Sequence, residues 1–323
     1  MLYNIENLMV RNQNRYFYKY VTAEGAKKIL ALKCLKYSHP STFNDKADCN
    51  FGFNLDFSSD VLSKKLIQRF IEKITSPLPI LRSSGINMEV EINGQNIRPT
   101  EELQKAYMQG KISRQEIIDD FSTPFPGHEK SFINFIDDCV RITEEILKCC
   151  FIFCITEDKD NQNMWERYAD SHTGIVLELK TIPSMDNAIL AAFPVVYYEK
   201  PPPYFDLEDI IDVFIEGKDP MITATKGLIK YVTAKEKNEW GYEKEKRVVL
   251  FLREQELLKL PNPQETFISM LKEELESIYL GCNIRDEDKK EIFQLINVNF
   301  PEAKVYQQYT KDSLEYSFCE ISS

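Results

Sequence analysis

From Cys150 onward the chain offers one apolar run of strand length after another, with few helical stretches between them. Cys150–Ile155 is continuously apolar, the pattern of a strand buried on both faces. Gly174–Leu179 follows, with Ile175, Leu177 and Leu179 alternating against Val176 and Glu178. Phe193–Tyr198, Arg247–Leu252, Ser277–Leu280, Val305–Tyr309 and Leu314–Cys319 read as further strands. Helical spacing in this half is confined to Asp206–Glu216, Lys226–Lys237 and Asp286–Leu295. The start of the chain repeats the theme with strands at Tyr16–Tyr20 and Leu35–Ser38 around a helix at Ala23–Leu32. Strands that outnumber the helices between them predict an α+β fold, with a mixed or antiparallel central sheet and flanking helices, rather than a doubly wound sheet.

The stretch between these strand-rich parts differs. Ser59 or Asp60 can cap a helix whose apolar face is Leu62, Leu66, Ile67, Phe70 and Ile74. Ser76–Thr100 is rich in breakers. Ser113 and Glu116 have capping-box spacing. Phe132, Phe135, Ile136, Val140, Ile146 and Leu147 mark another amphipathic helix. The expected division is therefore an α+β core from residues 1–57 and 149–323, interrupted by a mostly helical insertion at 58–148 that has no strand pattern of its own.

At 323 residues and 43% hydrophobic content the chain can bury a core without staples. Net charge is −11, a field that disfavours wholesale binding of phosphate polymers. Lys226, Lys230, Lys235, Lys237, Lys244, Lys246 and Arg247 nevertheless crowd one region, either as a basic groove or as solvated edges. Met1–Asn14 lacks the basic-then-apolar order of an export signal. No apolar run approaches the ~20 residues of a membrane span, so a cytoplasmic protein is expected. The eight cysteines form no Cys-x-x-Cys pair, and three histidines add little. Buried thiols are expected, not zinc or disulfides, and no metal is implied. Walker A, dinucleotide-fingerprint and nucleophile-elbow motifs are absent.

Four constellations remain. Tyr18-Lys19-Tyr20 on a strand sets Tyr18 and Tyr20 on one face and Lys19 on the other, a means of stacking a ring and binding a phosphate. Phe43-Asn44-Asp45-Lys46-Ala47-Asp48 reads as a tight turn. Trp165 and Tyr168 lie three apart, on one face of a helical turn that leads into Gly174. In Trp240-Gly241-Tyr242-Glu243-Lys244-Glu245-Lys246-Arg247, a strand starting at Tyr242 aims Glu243, Glu245 and Arg247 to one face. Close carboxylates push their pKa values apart and an arginine pulls them down, which suits general-base and electrostatic work as well as a surface ladder of charge.

These motifs, in the order Tyr18-Lys19-Tyr20, Tyr37-Ser38-His39-Pro40, Phe43-Asn44-Asp45, Met164-Trp165-x-x-Tyr168-Ala169-Asp170, Gly174 and Trp240-x-x-Glu243-x-Glu245-x-Arg247, resemble the bacterial domain-of-unknown-function family 2971. The sequence departs from that pattern at Lys46-Ala47-Asp48 and at Lys246. The motif order also resembles that of ADP-ribosyltransferases, the DNA-targeting toxin branch in particular, by analogy of fold. Members resemble genes found beside phage-defence systems. The resemblance implies NAD as substrate and an acceptor macromolecule, nucleic acid or protein. It implies Glu245 as the catalytic carboxylate and Glu243 as the residue orienting the acceptor. Lys19 or Arg247 would hold pyrophosphate, Trp165 and Tyr168 would stack on the nicotinamide ring, and Tyr20 would also bind the cofactor. The residues alone also allow a non-enzymatic sensor module, or a metal-dependent nuclease using Asp45, Asp48, Glu243 and Glu245.

Overall fold

A computed structural model describes residues 10–13, 15–45, 48–49, 55–81, 86–87, 89–92, 94–121, 128–312 and 315–321. The chain divides into two compact units. One comprises Met1–Phe51, Ile146–Lys200 and Val232–Ser323, and the other Gly52–Glu145 with Pro201–Tyr231. The second unit is thus the expected insertion plus Pro201–Tyr231, a segment that the sequence patterns assign to the core.

The second unit is built on helices Ser59–Ile74, Pro99–Met108, Arg114–Phe121 and His128–Leu147. Ser113 and Glu116 exchange side-chain-to-backbone hydrogen bonds, the capping box their spacing predicts. Ile71, Ile74, Ile80 and Ile117 form this unit's core, with the Phe70 and Phe121 rings 4.7 Å apart beside it. The breaker-rich stretch contains a hairpin that the sequence reading did not anticipate, Val90–Ile92 with Gln95–Ile97. Met88, Val90 and Ile92 alternate with Glu89 and Glu91, a signal the breakers around it obscured, and each strand is only three residues long.

The first unit carries the large sheet. Its strands are β1 (Tyr16–Val21), β2 (Cys34–Ser38), β3 (Cys150–Thr156), β4 (Ile175–Lys180), β5 (Phe193–Pro194), β6 (Val196–Tyr198), β7 (Ala234–Glu236), β8 (Glu245–Phe251), β9 (Glu265–Ser269), β10 (Leu275–Leu280), β11 (Lys304–Asp312) and β12 (Glu315–Glu320). Among its helices are α1 (Ala23–Leu32), α2 (Gln162–Tyr168), α3 (Lys237–Trp240) and α4 (Asp286–Asn299). The sheet runs β9-β2-β3-β1-β4-β10-β11-β12, with β8 on β3 and β5 on β8. All its pairs are antiparallel except β10 with β11, and β6 pairs β7 in parallel as a separate ribbon. The fold is α+β with a mixed, mostly antiparallel sheet, as the strand-rich sequence predicts.

Strand alternation sorts the two faces. Phe17, Tyr37, Phe151, Phe153, Leu177 and Ile278 join Leu30, Ile292 and Ile296 of α1 and α4 in the main core. Tyr20, Val176 and Tyr279 face the other way and pack with Trp165 of α2. β3 is apolar from Cys150 to Ile155, and all of these residues but Cys154 are buried. Two expected elements are corrected. Phe193–Tyr198 divides at Val195, whose amide donates to Glu245 O (2.9 Å), while the amide of Val196 donates to Thr233 O (2.8 Å). The helix expected over Lys226–Lys237 stops at Val232, and Ala234–Glu236 is strand.

Along one edge β3 pairs with β8 through its full length. Its other edge is shared. β2 meets it at Ser38↔Ile152 and β1 at Tyr18↔Thr156. Both strands peel away from the residues between, so the sheet opens at Phe153–Ile155. Lys19 Nζ reaches into the opening and donates to Cys154 O (2.8 Å).

Candidate functional site

A cavity of about 210 Å³ occupies this opening. Tyr18, Lys19 and Tyr20 of β1, Lys36 and Ser38 of β2, and Ile152, Cys154 and Ile155 of β3 line it. Tyr168 of α2, Asp48, Lys235, Trp240, Glu243 and Glu245 close its acidic wall. Lys19, Tyr168 and Glu245, far apart in sequence, therefore share one cleft.

Local conformation creates the acidic wall. The expected strand from Tyr242 does not form. Gly241–Glu243 is a 3-10 turn, Lys244 takes a left-handed conformation (φ 46°), and β8 begins at Glu245. Glu243 and Glu245 still converge, because Lys235 on the neighbouring β7 receives both. Its Nζ lies 2.6 Å from Glu243 Oε2 and 3.1 Å from Glu245 Oε2, and 4.5 Å from the centre of the Trp240 ring. Asn161 caps α2 by accepting from Met164 N and also donates to Tyr242 O (2.7 Å). That link ties α2 to the turn, and Tyr168 OH donates to Glu243 Oε1. Glu245 N donates to Tyr197 OH (2.9 Å).

Behind the wall, Arg247 Nε donates to Glu245 Oε1 (2.8 Å). Its Nη1 and Nη2 hold Asp48 as a bidentate pair at 2.8 and 2.6 Å. Nη1 also donates to Val232 O (2.8 Å). Arg247 is fully buried, and Glu243 is 2% exposed. Three carboxyls thus face two cations in a desolvated cluster. One negative charge is left uncompensated, and it falls on Glu243. Burial pushes Glu243 above the usual carboxylate range, with Lys235 and Tyr168 opposing only in part. Burial also acts on Glu245, but Arg247 and Lys235 outweigh it and hold that carboxyl well below the usual range. The spacing that predicts two carboxyls with separated pKa values is realised, with the lysine as the group between them. Burial, and next Glu243, raise the Tyr168 phenol.

Two residues expected to bind ligand are placed elsewhere. Trp165 is 1% exposed and does not line the cavity. Its indole packs edge-on to Tyr20, stacks on His172 and donates Nε1–H to Lys159 O (2.9 Å). It is a core residue beneath the site, not a platform for a ring. Arg247 does not line the cavity either, and its guanidinium is taken up by Asp48, Glu245 and a carbonyl. Lys19 and Tyr20 do line the cavity, but the Lys19 ammonium bonds the β3 backbone and Tyr20 OH donates to Asp158 O (2.9 Å). Lys235 escaped the sequence reading as a site residue, and Asp48 entered it only as a member of the nuclease alternative. Asp48 was legible as a turn residue, not as a partner of Arg247, and Lys235 as one lysine in a basic crowd. Lys46 and Ala47 of that turn lie outside the described residues.

Backbone packing supports the arrangement from below. Asp170, Ser171 and His172 are all left-handed, bringing the chain from α2 back into β4. A Cβ on Gly281 would sit 2.0 Å from His172 O, so this close approach needs glycine. His172 is buried between Trp165 and Tyr316, with Nδ1 2.8 Å from Gln308 Oε1. Among the described residues no His, Cys, Asp or Glu group could hold a metal ion, and no helix is long and apolar enough to cross a membrane.

No family model, curated protein or solved structure was found to match the chain.

Proposed function

We propose that the cavity receives the nicotinamide–ribose end of NAD and that the protein cleaves this N-glycosidic bond, passing the ADP-ribosyl group to an acceptor or to water. The observation that carries the reading is the pair Glu243 and Glu245, joined by buried Lys235 on the wall of a tyrosine-lined cavity and displaced in opposite senses in pKa. Bond cleavage develops oxocarbenium character at the ribose. Glu245, kept anionic, stabilises that charge as it forms. Nicotinamide leaves neutral, taking the bonding pair to its ring nitrogen. Glu243, whose proton affinity is raised, accepts the proton of the incoming hydroxyl or amine. Tyr168 orients Glu243 and, with Tyr18 and Tyr20, offers aromatic walls to the ring.

The order of the motifs agrees with this chemistry by its resemblance to ADP-ribosyltransferases and to domain-of-unknown-function family 2971, an analogy of pattern and fold. The reading implies a cytoplasmic bacterial effector, toxin-like and suited to phage defence. With a net charge of −11, a nucleic-acid acceptor would be engaged only locally, and a protein acceptor suits the surface as well.

One observation favours a second reading, a binding module without chemistry. Both oxygens of Glu245 already take hydrogen bonds from Arg247 and Lys235, so the cluster also serves as a purely structural lock. Incubation with NAD separates the two. The wild type should release nicotinamide and Glu245→Gln should not. Equal release by both proteins, or no NAD binding at millimolar concentration, refutes the enzymatic reading.

A further inference from the structure

The cavity of about 210 Å³ is smaller than the ~300–1,000 Å³ of pockets that enclose drug-sized ligands. It accommodates a ring and its sugar, so the rest of a dinucleotide must lie outside it. The cations in and behind this cavity, Lys19 and Arg247 expected at the diphosphate among them, are otherwise engaged. Arg247 and Lys235 face buried carboxylates, Lys36 pairs with Glu265 at 2.6 Å, and Lys19 is on the β3 backbone. Arg167 is different. It follows Glu166 in α2, is exposed, and has no carboxylate within 4 Å among the described residues. Its guanidinium lies 4.5 Å from the centre of the Trp240 ring. Trp240 lines the first cavity, and Arg167 itself lines a second hollow of about 420 Å³ with Asn163, Glu166 and Tyr242. Glu166, the one acid of that hollow, is 3.4 Å from His172 Nε2. Arg167 thus reaches from the second hollow to an indole that lines the first, and a guanidinium held over that ring is pre-organised for bidentate contact with phosphate oxygens.

We propose that Arg167, with Tyr242 and Asn163, forms the subsite for the diphosphate and second nucleoside of the dinucleotide, making a nucleoside diphosphate the chemical class that this hollow recognises. The proposal rests on the reading of the first cavity as a nicotinamide–ribose site, but its test does not depend on turnover. ADP and nicotinamide riboside serve as separate probes, titrated by calorimetry against wild type, Arg167→Ala and Arg167→Lys. A charge-assisted contact of this kind predicts that Arg167→Ala weakens ADP binding by about tenfold to a hundredfold. Nicotinamide riboside affinity and melting temperature should stay at wild-type values, and Arg167→Lys should fall between. The assignment is overturned if ADP binds wild type and Arg167→Ala equally. It is also overturned if wild type fails to bind ADP at millimolar concentration, or if Arg167→Ala weakens both probes alike. Loss of the glycosidic reading, seen as unchanged nicotinamide release by Glu245→Gln, leaves these binding results to stand or fall on their own.

Discussion

Replacing Lys235 with methionine keeps the volume of the side chain and removes the charge that two buried carboxyls share. At separations of 2.6 and 3.1 Å and an effective dielectric constant of about 20, each contact is worth on the order of 5 kcal/mol before desolvation. Burying the ammonium costs several kcal/mol in return, and removing one partner of a buried pair typically destabilises by about 3–5 kcal/mol. A loss of about 4 kcal/mol at pH 7 is expected, read by urea denaturation. The pH dependence is more diagnostic than the size. Asp48, Arg247, Tyr168 and the Trp240 ring also face this cluster, and the carboxyl that burial raises is Glu243. In the wild type, Glu245 is held below its unfolded value, so its stabilisation is present above pH ~4.3 and disappears as the pH falls. Glu243 is already raised by burial, and without Lys235 it rises further. A carboxyl raised above its unfolded value destabilises at high pH, and protonation relieves the penalty as the pH falls through the folded value. The deficit of Lys235→Met relative to wild type should therefore be largest at pH 8 and shrink toward pH 5. A deficit that is constant over this range, or grows on acidification, refutes the shared-lysine account.

Other substitutions separate scaffold from site. Trp165→Leu should cost about 3 kcal/mol through lost aromatic packing yet leave the affinity for nicotinamide riboside near that of wild type, whereas Tyr168→Phe, which keeps the ring and removes the hydrogen bond to Glu243, should cost less in stability and slow transfer to the acceptor. The reverse pattern, by denaturation and kinetics, would return Trp165 to the cavity. Gly281→Ala places a methyl 2.0 Å from His172 O and should destabilise by at least about 3 kcal/mol. A melting temperature within a degree of wild type would show that the His172 turn can yield.

Most of the sheet was legible, because β1, β3, β4 and β10 carry apolar runs that only a buried strand explains. β9 was not. In Glu265–Ser269 it is Thr266 that is buried and Phe267 that is exposed, the inverse of the expected alternation. Lys235 was hidden for a related reason. A three-residue strand directly after a helix leaves no period to detect, and a lysine at position 235 joins its neighbours as one more solvated charge until its acidic partners are placed. The spacing of Trp165 and Tyr168 correctly put both on one side of α2, but only packing against the sheet decides that the indole lies beneath Tyr20 while the phenol reaches the cavity. Glu243 and Glu245 converge as anticipated, through a left-handed Lys244 and a shared lysine and not through strand alternation.

The central claim is that the two carboxyls divide the work of one glycosidic cleavage. Nicotinamide release and acceptor or water capture, measured side by side for wild type, Glu243→Gln and Glu245→Gln, test it most directly. The account predicts that Glu245→Gln lowers release by roughly a thousandfold, the scale of losing a preorganised electrostatic partner of the transition state, while Glu243→Gln slows transfer to the acceptor by about a hundredfold or more and leaves nicotinamide release to proceed with water as the captor. Release by Glu245→Gln at the wild-type rate, from a folded protein that still binds NAD, would contradict it.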